Sequence, residues 1–193
     1  MTAIIIDFAA FKAARSMPSQ VLPAKPSAPA QRPYVAYTDP KNVVVGSKYD
    51  SKTSVKEDAV SIRNDIKEAV KAGTIPKGFK FSVRVDSYSM GQSLYVTVTE
   101  VPAGFVMNNV EFRRAYVVDP LGDGCRRLER YTREASNLLS AVDEIVHGYN
   151  RKNVDSSSDF YDVKFSFHGA DFGSLGAQEE TRMTAAIKKE LEQ

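Results

Sequence analysis

The chain is poor in cysteine, tryptophan and net charge. Its 193 residues include one cysteine, Cys125, and no tryptophan. A single cysteine excludes an internal disulfide and argues against a secreted, disulfide-stapled protein, so a reducing cytoplasm is the expected compartment. Twenty-six Lys and Arg against 24 Asp and Glu leave a formal charge of +2, which alone does not indicate a nucleic-acid or membrane surface. Any basic binding site must therefore be local.

A long hydrophobic run is also missing. The apolar stretch at residues 1–10 contains Asp7 and no basic residue, and it is too short to span a bilayer. We therefore expect neither a targeting nor a transmembrane segment. The composition is otherwise ordinary for a globular protein, with 42% hydrophobic and 26% charged residues, and it is sufficient for one folded core.

Residues 1–16 predict a short amphipathic helix, because apolar residues recur there at helical spacing. The residues on or beside its apolar face are Ile4, Ile5, Phe8 and Phe11. Residues 17–33 contain five prolines, a composition that favours an extended, semi-rigid tether. The helix is thus predicted to be separated from residues 34–193, and it could dock on that core, on another subunit or on another protein.

The first half of the core predicts a strand, a helix and a hairpin. Val43-Val44-Val45-Gly46 suggests a short strand. A capping box formed by Ser54 and Glu57 opens a helix that Gly73 ends. Apolar residues alternate over 79–85 and again over 94–98, which predicts an antiparallel hairpin with a long, bulged connection over 87–92.

The second half is dominated by one apolar stripe. It runs from Leu128 to Tyr149 and predicts about six turns of helix. The remaining predictions are an ambiguous helix or strand over 105–118, a turn over 119–124, a loop over 150–158, a strand over 160–167 and a terminal helix over 178–191. The expected fold class is α+β, an antiparallel sheet with a central hairpin packed against two or more helices, plus the tethered N-terminal helix.

Two stretches carry a family resemblance. The first runs from Asp58 through Lys80-Phe81-Ser82-Val83-Arg84 to Tyr88-Ser89, and the second joins Tyr149-Asn150 to Asp159-Phe160-Tyr161-Asp162-Val163-Lys164-Phe165. In order and spacing they resemble a large polyvalent-protein-associated domain, over roughly residues 34–172. The chain departs from that family's pattern at Val101-Pro102, where Gly-Pro is expected.

The resemblance implies a protein of a phage or conjugative element and implies no chemistry. A free-standing copy with its own N-terminal helix suggests an accessory factor, such as an anti-CRISPR or anti-restriction inhibitor that contacts a host defence protein or ribonucleoprotein complex. We therefore expect a cytoplasmic, non-enzymatic binding protein without a cofactor. The alternative is a nucleic-acid-binding module used in DNA transfer or packaging.

The strongest local charge is a group of six arginines within twenty-one residues. They are Arg113, Arg114, Arg126, Arg127, Arg130 and Arg133. Guanidinium groups suit phosphate or carboxylate recognition. On the predicted long helix, Arg126, Arg130 and Arg133 share one face by their i, i+4, i+7 spacing. The alternative is a solvated helix face paired with neighbouring glutamates, and we weigh the two equally.

The polar face of the hairpin is a second candidate surface. Lys80, Arg84 and Tyr95 lie on it, together with Ser93, Thr97 and Thr99. A basic, aromatic sheet face can stack single-stranded bases. A single tyrosine is weak support, however, since stacking platforms need two or three aromatics, and an ordinary outward face is the better interpretation.

Catalytic and metal sites are not predicted. His147, His168 and Cys125 are the natural starting points for a nucleophile or base, but none has a paired group in the sequence. The segment 150–171 carries several Asn and Asp oxygens that could surround a hard cation. The alternative, turn and cap hydrogen bonds, is the better interpretation there.

Overall fold

A computed structural model of the chain describes residues 43–155 and 160–193. The predicted N-terminal helix, with Ile4, Phe8 and Phe11, and the Pro-rich tether lie outside these residues. The helices of the described part are α1 (Val55–Ala72), α2 (Val110–Val118), α3 (Asp123–Arg126), α4 (Arg133–His147) and α5 (Gly173–Leu191). The strands are β1 (Val43–Val45), β2 (Lys80–Tyr88), β3 (Gly91–Glu100), β4 (Arg151–Asp155) and β5 (Phe160–Val163).

Helix α1 confirms the predicted boundaries. The Ser54 side chain accepts from the Glu57 amide, and the Glu57 carboxylate accepts from the Ser54 amide at 2.7 Å. Both backbone amides at the start of the helix therefore have an acceptor. Gly73 ends the helix with φ 82°, a left-handed conformation that glycine adopts without strain. Ala59, Ile62 and Ile66 form its buried face.

Strands β2 and β3 form the predicted antiparallel hairpin. Tyr88 pairs directly with Gly91, so only two residues connect the strands and the predicted long, bulged connection is wrong. The irregularity lies at the opposite end, where the register shifts between Lys80 and Phe81. The two strands therefore remain paired further toward the tip of the hairpin than the alternation of apolar residues indicated.

A second sheet has the order β1-β4-β5, with both pairs antiparallel. Its central strand, β4, falls in the segment predicted as a loop, so that prediction is wrong. Arg151, Lys152 and Asn153 give β4 no apolar alternation that could have revealed it, although Asn153 is buried. Strand β1 confirms the short strand predicted over 43–46.

The segment between β5 and α5 lies along β3 and completes the hairpin layer. Isolated parallel bridges join Ser93 to Ser166 and Thr97 to Asp171. The amide of Leu94 donates to the Ser166 carbonyl at 2.9 Å, and the amide of Val98 donates to the Asp171 carbonyl at 2.8 Å. Strand β3 thus has a partner on both edges, whereas β2 is at the edge of its sheet among the residues that the structure describes.

The predicted six-turn helix is shorter than its apolar stripe. Helix α4 has 15 residues and begins at Arg133, with Thr132 as its N-cap. The preceding Tyr131 forms an antiparallel bridge with Asn108, and the Thr132 amide donates to the Met107 carbonyl at 2.9 Å. These long-range bonds hold the segment extended against its helical spacing.

Three further boundaries are settled by local bonds. Residues 110–118 of the ambiguous segment 105–118 form a helix, α2, which the Asn109 side chain caps, whereas residues 105–109 are not helical. The predicted turn over 119–124 continues into the short helix α3, and α5 starts at Gly173, five residues before the prediction. Alpha helices and antiparallel sheets together confirm the α+β class.

The hydrophobic core lies between the hairpin and the helices α1 and α4. Its fully buried side chains include Ile62, Val96, Val142 and Phe165. A buried ion pair, Lys164 to Asp58 at 2.6 Å, ties the start of α1 to the segment after β5. On the other side, α5 packs against both β3 and α2. It therefore connects the α2–α3 region to the hairpin.

Candidate binding surfaces

The six arginines do not form one helical stripe. Arg113 and Arg114 lie on α2, Arg126 ends α3, and Arg133 begins α4, so the predicted common helix face does not exist. The break occurs because the segment around Arg130 is bonded across to the start of α2, where the Asn109 amide donates to the Arg130 carbonyl at 2.9 Å.

Two of these arginines bind the same carboxylate. Arg113 contacts Oε1 of Glu180 at 2.5 Å, and Arg130 donates to the same oxygen from Nε at 3.0 Å and from a terminal nitrogen at 2.8 Å. The hydrogen bond to Glu180 raises the pKa of Arg130 above its ordinary value. Arg113 is only 8% exposed. A buried guanidinium needs such a partner, so this pair fixes α5 against α2.

Aromatic rings border this ion-paired group. The Arg113 guanidinium lies 5.2 Å from the centre of the Tyr116 ring, and Arg130 lies 5.5 Å from the Tyr131 ring. Phe112 stacks with Tyr116 at 6.1 Å. A small pocket of about 200 Å³ is lined by Phe112, Arg113, Tyr116, Arg130 and Glu180. Since Glu180 already neutralises one positive charge there, the pocket is weakly basic rather than a strong anion site.

The other four arginines are exposed. Arg114 binds Glu190 on α5 at 2.7 Å, an exposed pair of the kind that contributes little to stability. Arg126, Arg127 and Arg133 have no ion pair within residues 43–155 and 160–193. Three of the six arginines are therefore paired with two carboxylates of α5, which makes the cluster less basic than the sequence suggests.

The polar face of the hairpin carries Tyr95, as the sequence indicated, and also the exposed Tyr88 near its tip. Tyr95 is 39% exposed, and the Arg84 guanidinium lies 5.3 Å from its ring centre. Arg84 also donates to Asp86 at 3.4 Å. Ser93 is buried under the segment after β5, so this face is narrower than predicted. Lys80 is apart from it, bound to Glu100 at 2.6 Å.

A groove between α1 and β2 was missed by the sequence analysis. It has a volume of about 490 Å³, and its floor is apolar, formed by Ile66, Val70, Phe79, Phe81 and Val83. Its rim is basic and consists of Arg63, Lys67, Lys71 and Lys80. The signal was present in α1, where Arg63, Lys67 and Lys71 recur every four residues beside Ile66 and Val70.

The groove runs along the edge of β2 that has no partner strand in the described part of the chain. A terminal nitrogen of Arg63 donates to the Val83 carbonyl, which shows that this carbonyl faces away from β3. Lys71 binds Glu68 at 2.6 Å on the exposed surface. Four cations thus surround the floor against two glutamates, Glu68 and Glu100, and all of these charges are in contact with solvent.

The candidate catalytic side chains do not come together. His147, at the end of α4, packs edge-on against Phe167 with ring centres 5.4 Å apart, and desolvation lowers its pKa. Desolvation raises the pKa of Asp143, one turn earlier. Asp143 accepts from the Ala170 amide at 2.7 Å, which gives it a structural role. Cys125 is buried in α3.

Three Asn and Asp residues of segment 150–171 have hydrogen-bonding roles. Asn150 donates to the Phe165 carbonyl at 2.9 Å, and Asp162 accepts from Arg151 at 2.5 Å. Asp171 accepts from the Gly173 amide at 2.9 Å. Within the described residues, no three His, Cys, Asp or Glu side chains are grouped so that they could hold a metal ion.

Comparisons of the chain with protein-family models, with curated proteins and with solved structures found no match. Among the helices described above, none is both long and apolar enough to cross a membrane. The binding surfaces must therefore be interpreted from their own geometry.

Proposed function

We propose that this chain is a non-enzymatic binding protein of a phage or other mobile element, which inhibits a host defence complex in the cytoplasm by protein–protein contact. The observation that carries the proposal is the apolar groove between α1 and β2. An open apolar surface with a polar, charged rim is the usual form of a protein-binding site.

The two motifs that resemble the polyvalent-protein-associated domain both contribute to this groove. Lys80, Phe81 and Val83 of the first motif line it directly. Tyr149 of the second motif donates to Asp65 on α1 at 2.7 Å, and Lys164 binds Asp58 on the same helix. The second motif thus holds the helix that forms the opposite wall. This placement supports a binding role for the resembling region.

The test is expression of the full chain in bacteria that carry a CRISPR or restriction system. We expect the plating efficiency of a targeted phage to rise, and a tagged chain to retain a component of that system. A double variant, Lys67→Glu with Lys71→Glu, should remove both effects. If no tested system is inhibited and none of its components is retained, the proposal is wrong.

Nucleic-acid binding is a second candidate function, favoured by the exposed Arg126, Arg127 and Arg133. It predicts retention on DNA or RNA that weakens steeply between about 50 and 200 mM salt. The internal pairing of Arg113 and Arg130 with Glu180 reduces the charge available for phosphates, which is why this function ranks second. Salt-dependent retention without inhibition of any defence system would reverse the ranking.

A further inference from the structure

We infer that the groove between α1 and β2 receives an extended, acidic and apolar segment of the partner protein, which pairs with the outer edge of β2 as an added strand. The inference rests on the proposed function and specifies how the partner is bound. It depends on three features of the groove: its backbone edge, its floor and its charge.

Within residues 43–155 and 160–193, no strand pairs with the backbone groups of β2 that face the groove, although the Val83 carbonyl accepts from the Arg63 side chain. Leu94, Val96 and Val98 of β3 direct their backbone groups to the segment 166–171. The residues opposite them in β2 are Val85, Val83 and Phe81. In an antiparallel pair, opposed residues direct their backbone groups either toward each other or both outward. The groups of Phe81, Val83 and Val85 therefore face outward, in agreement with the bond from Arg63 to the Val83 carbonyl.

The floor of the groove fits the side chains of such a strand. Phe81 and Val83 direct their side chains toward α1, where Ile66 and Val70 form the opposite wall. A strand beside β2 would place every second side chain in this space. The lining of α1 from Arg63 to Lys71 extends about 12 Å at 1.5 Å per residue, which corresponds to about four residues of an extended segment.

The charge of the rim selects acidic residues in the partner. Four cations surround the floor, and the two glutamates that accompany them are in exposed pairs, which are weak and easily exchanged. Side chains of the added strand that do not enter the floor would lie near Lys67, Lys71 and Lys80. Alternating acidic and apolar residues satisfy both requirements.

A strand fits this site better than a helix, because a helix satisfies its own backbone hydrogen bonds. A helix in the groove would leave the outward amides of Phe81 and Val85 without a partner, whereas an added strand pairs them. Unpaired strand edges are the sites at which extended peptides bind by strand addition.

The probe is a nine-residue peptide in which Glu alternates with Val, blocked at both ends and added to the full chain. We expect hydrogen exchange to slow at the amides of Phe81, Val83 and Val85 on addition of the peptide. The same peptide with Lys in place of Glu should bind at least about tenfold more weakly. Absence of protection at these amides with saturating Glu peptide overturns the inference.

Methylated peptides distinguish backbone pairing from side-chain contact. Methyl groups on the Val nitrogens and methyl groups on the Glu nitrogens block opposite edges of an extended peptide. One set should abolish binding and the other should be tolerated, and the damaging set identifies the strand direction. Equal tolerance of both sets, or tighter binding of a sixteen-residue amphipathic acidic helix, overturns strand addition.

The variant Lys67→Glu with Lys71→Glu should weaken the Glu peptide about tenfold. Lys188→Glu with Lys189→Glu, which makes the same charge change at the exposed end of α5, should not. Protection of the β2 edge that grows with protein concentration without peptide would identify a second copy as the occupant and overturn the inference. Loss of defence inhibition in the groove variant without any peptide protection would reject strand addition and leave the proposed function standing.

Discussion

The arginines of α2 and the lysines of α1 are both clustered cations, yet their surroundings differ. Arg113 is buried and shares the Glu180 carboxylate with Arg130. Lys67 and Lys71 are exposed beside an apolar floor. The first group holds α5 against α2, and the second surrounds an open surface. A cluster of positive residues in a sequence therefore does not indicate a binding site until the positions of its carboxylate partners are known.

The variant with the largest expected effect on stability removes the charge from Glu180. Glu180→Gln leaves the buried Arg113 without an anion, so we expect the free energy of unfolding to fall by about 3 kcal/mol. Urea unfolding measures the change. Glu190→Gln is the matched control on the same helix, because its exposed pair with Arg114 should contribute about 0.5 kcal/mol or less. Equal losses in the two variants would contradict the proposed difference.

The complementary test reverses charge at the groove. Lys67→Glu with Lys71→Glu should lower the free energy of unfolding by no more than about 1 kcal/mol, because both lysines are exposed and, among the described residues, the only ion pair lost is that of Lys71 with Glu68. Urea unfolding is again the measurement. A loss as large as that of Glu180→Gln would show that the groove lysines also stabilise the fold, and the distinction between the two surfaces would fail.

A third test concerns the arginines that have no described ion pair. Replacement of Arg126, Arg127 and Arg133 by Glu should leave inhibition of the defence system unchanged, if the groove is the binding surface. Phage plating measures this directly. Nucleic-acid retention by the original chain that is lost in the triple variant would instead assign function to the arginine surface.

The smallest expected effect is a pH dependence at the end of α4. Burial lowers the pKa of His147, with a further contribution from Lys152. The unfolded chain therefore binds a proton more readily, and stability should fall as the pH drops below about 6.5. Asp143 acts in the opposite direction near pH 4, since its raised pKa favours the folded protein there. His147→Gln should reduce the loss of stability between about pH 7 and 5.5, measured by thermal unfolding. An unchanged pH profile would show that His147 does not contribute.

Elements whose signals are local were predicted from the sequence. Helix α1 follows from Ser54, Glu57 and Gly73, and the hairpin follows from its alternating apolar residues. Strand β4 was not predictable, because its central position in the sheet is set by β1 and β5 rather than by its own residues. Helix α4 was predicted too long because Tyr131 continues a helical spacing but pairs with Asn108.

The binding surfaces could not be predicted from the sequence for the same reason, because they are formed by long-range contacts. The six arginines were visible as residues, but their partners Glu180 and Glu190 lie on α5, far away in the sequence. The groove lysines repeat every four residues on α1, yet the apolar floor exists only because β2 packs against that helix. Arg84 and Tyr95 were correctly predicted on the hairpin face, since the alternation of a strand is a local property. The burial of Ser93 was not predicted, because it depends on the distant segment after β5.

Glu179 accepts from the amides of Met107 and Asn108 at 3.0 and 2.7 Å, and from the Asn108 side chain at 2.9 Å. Helix α5 thus supplies three carboxylates, those of Glu179, Glu180 and Glu190, that bind α2 and the segment before it. During synthesis, however, the ribosome adds about 5–20 residues per second, and α5 begins some fifty residues after α2 ends. During synthesis, the arginines of α2 are therefore without these carboxylate partners for several seconds, until the ribosome has added α5.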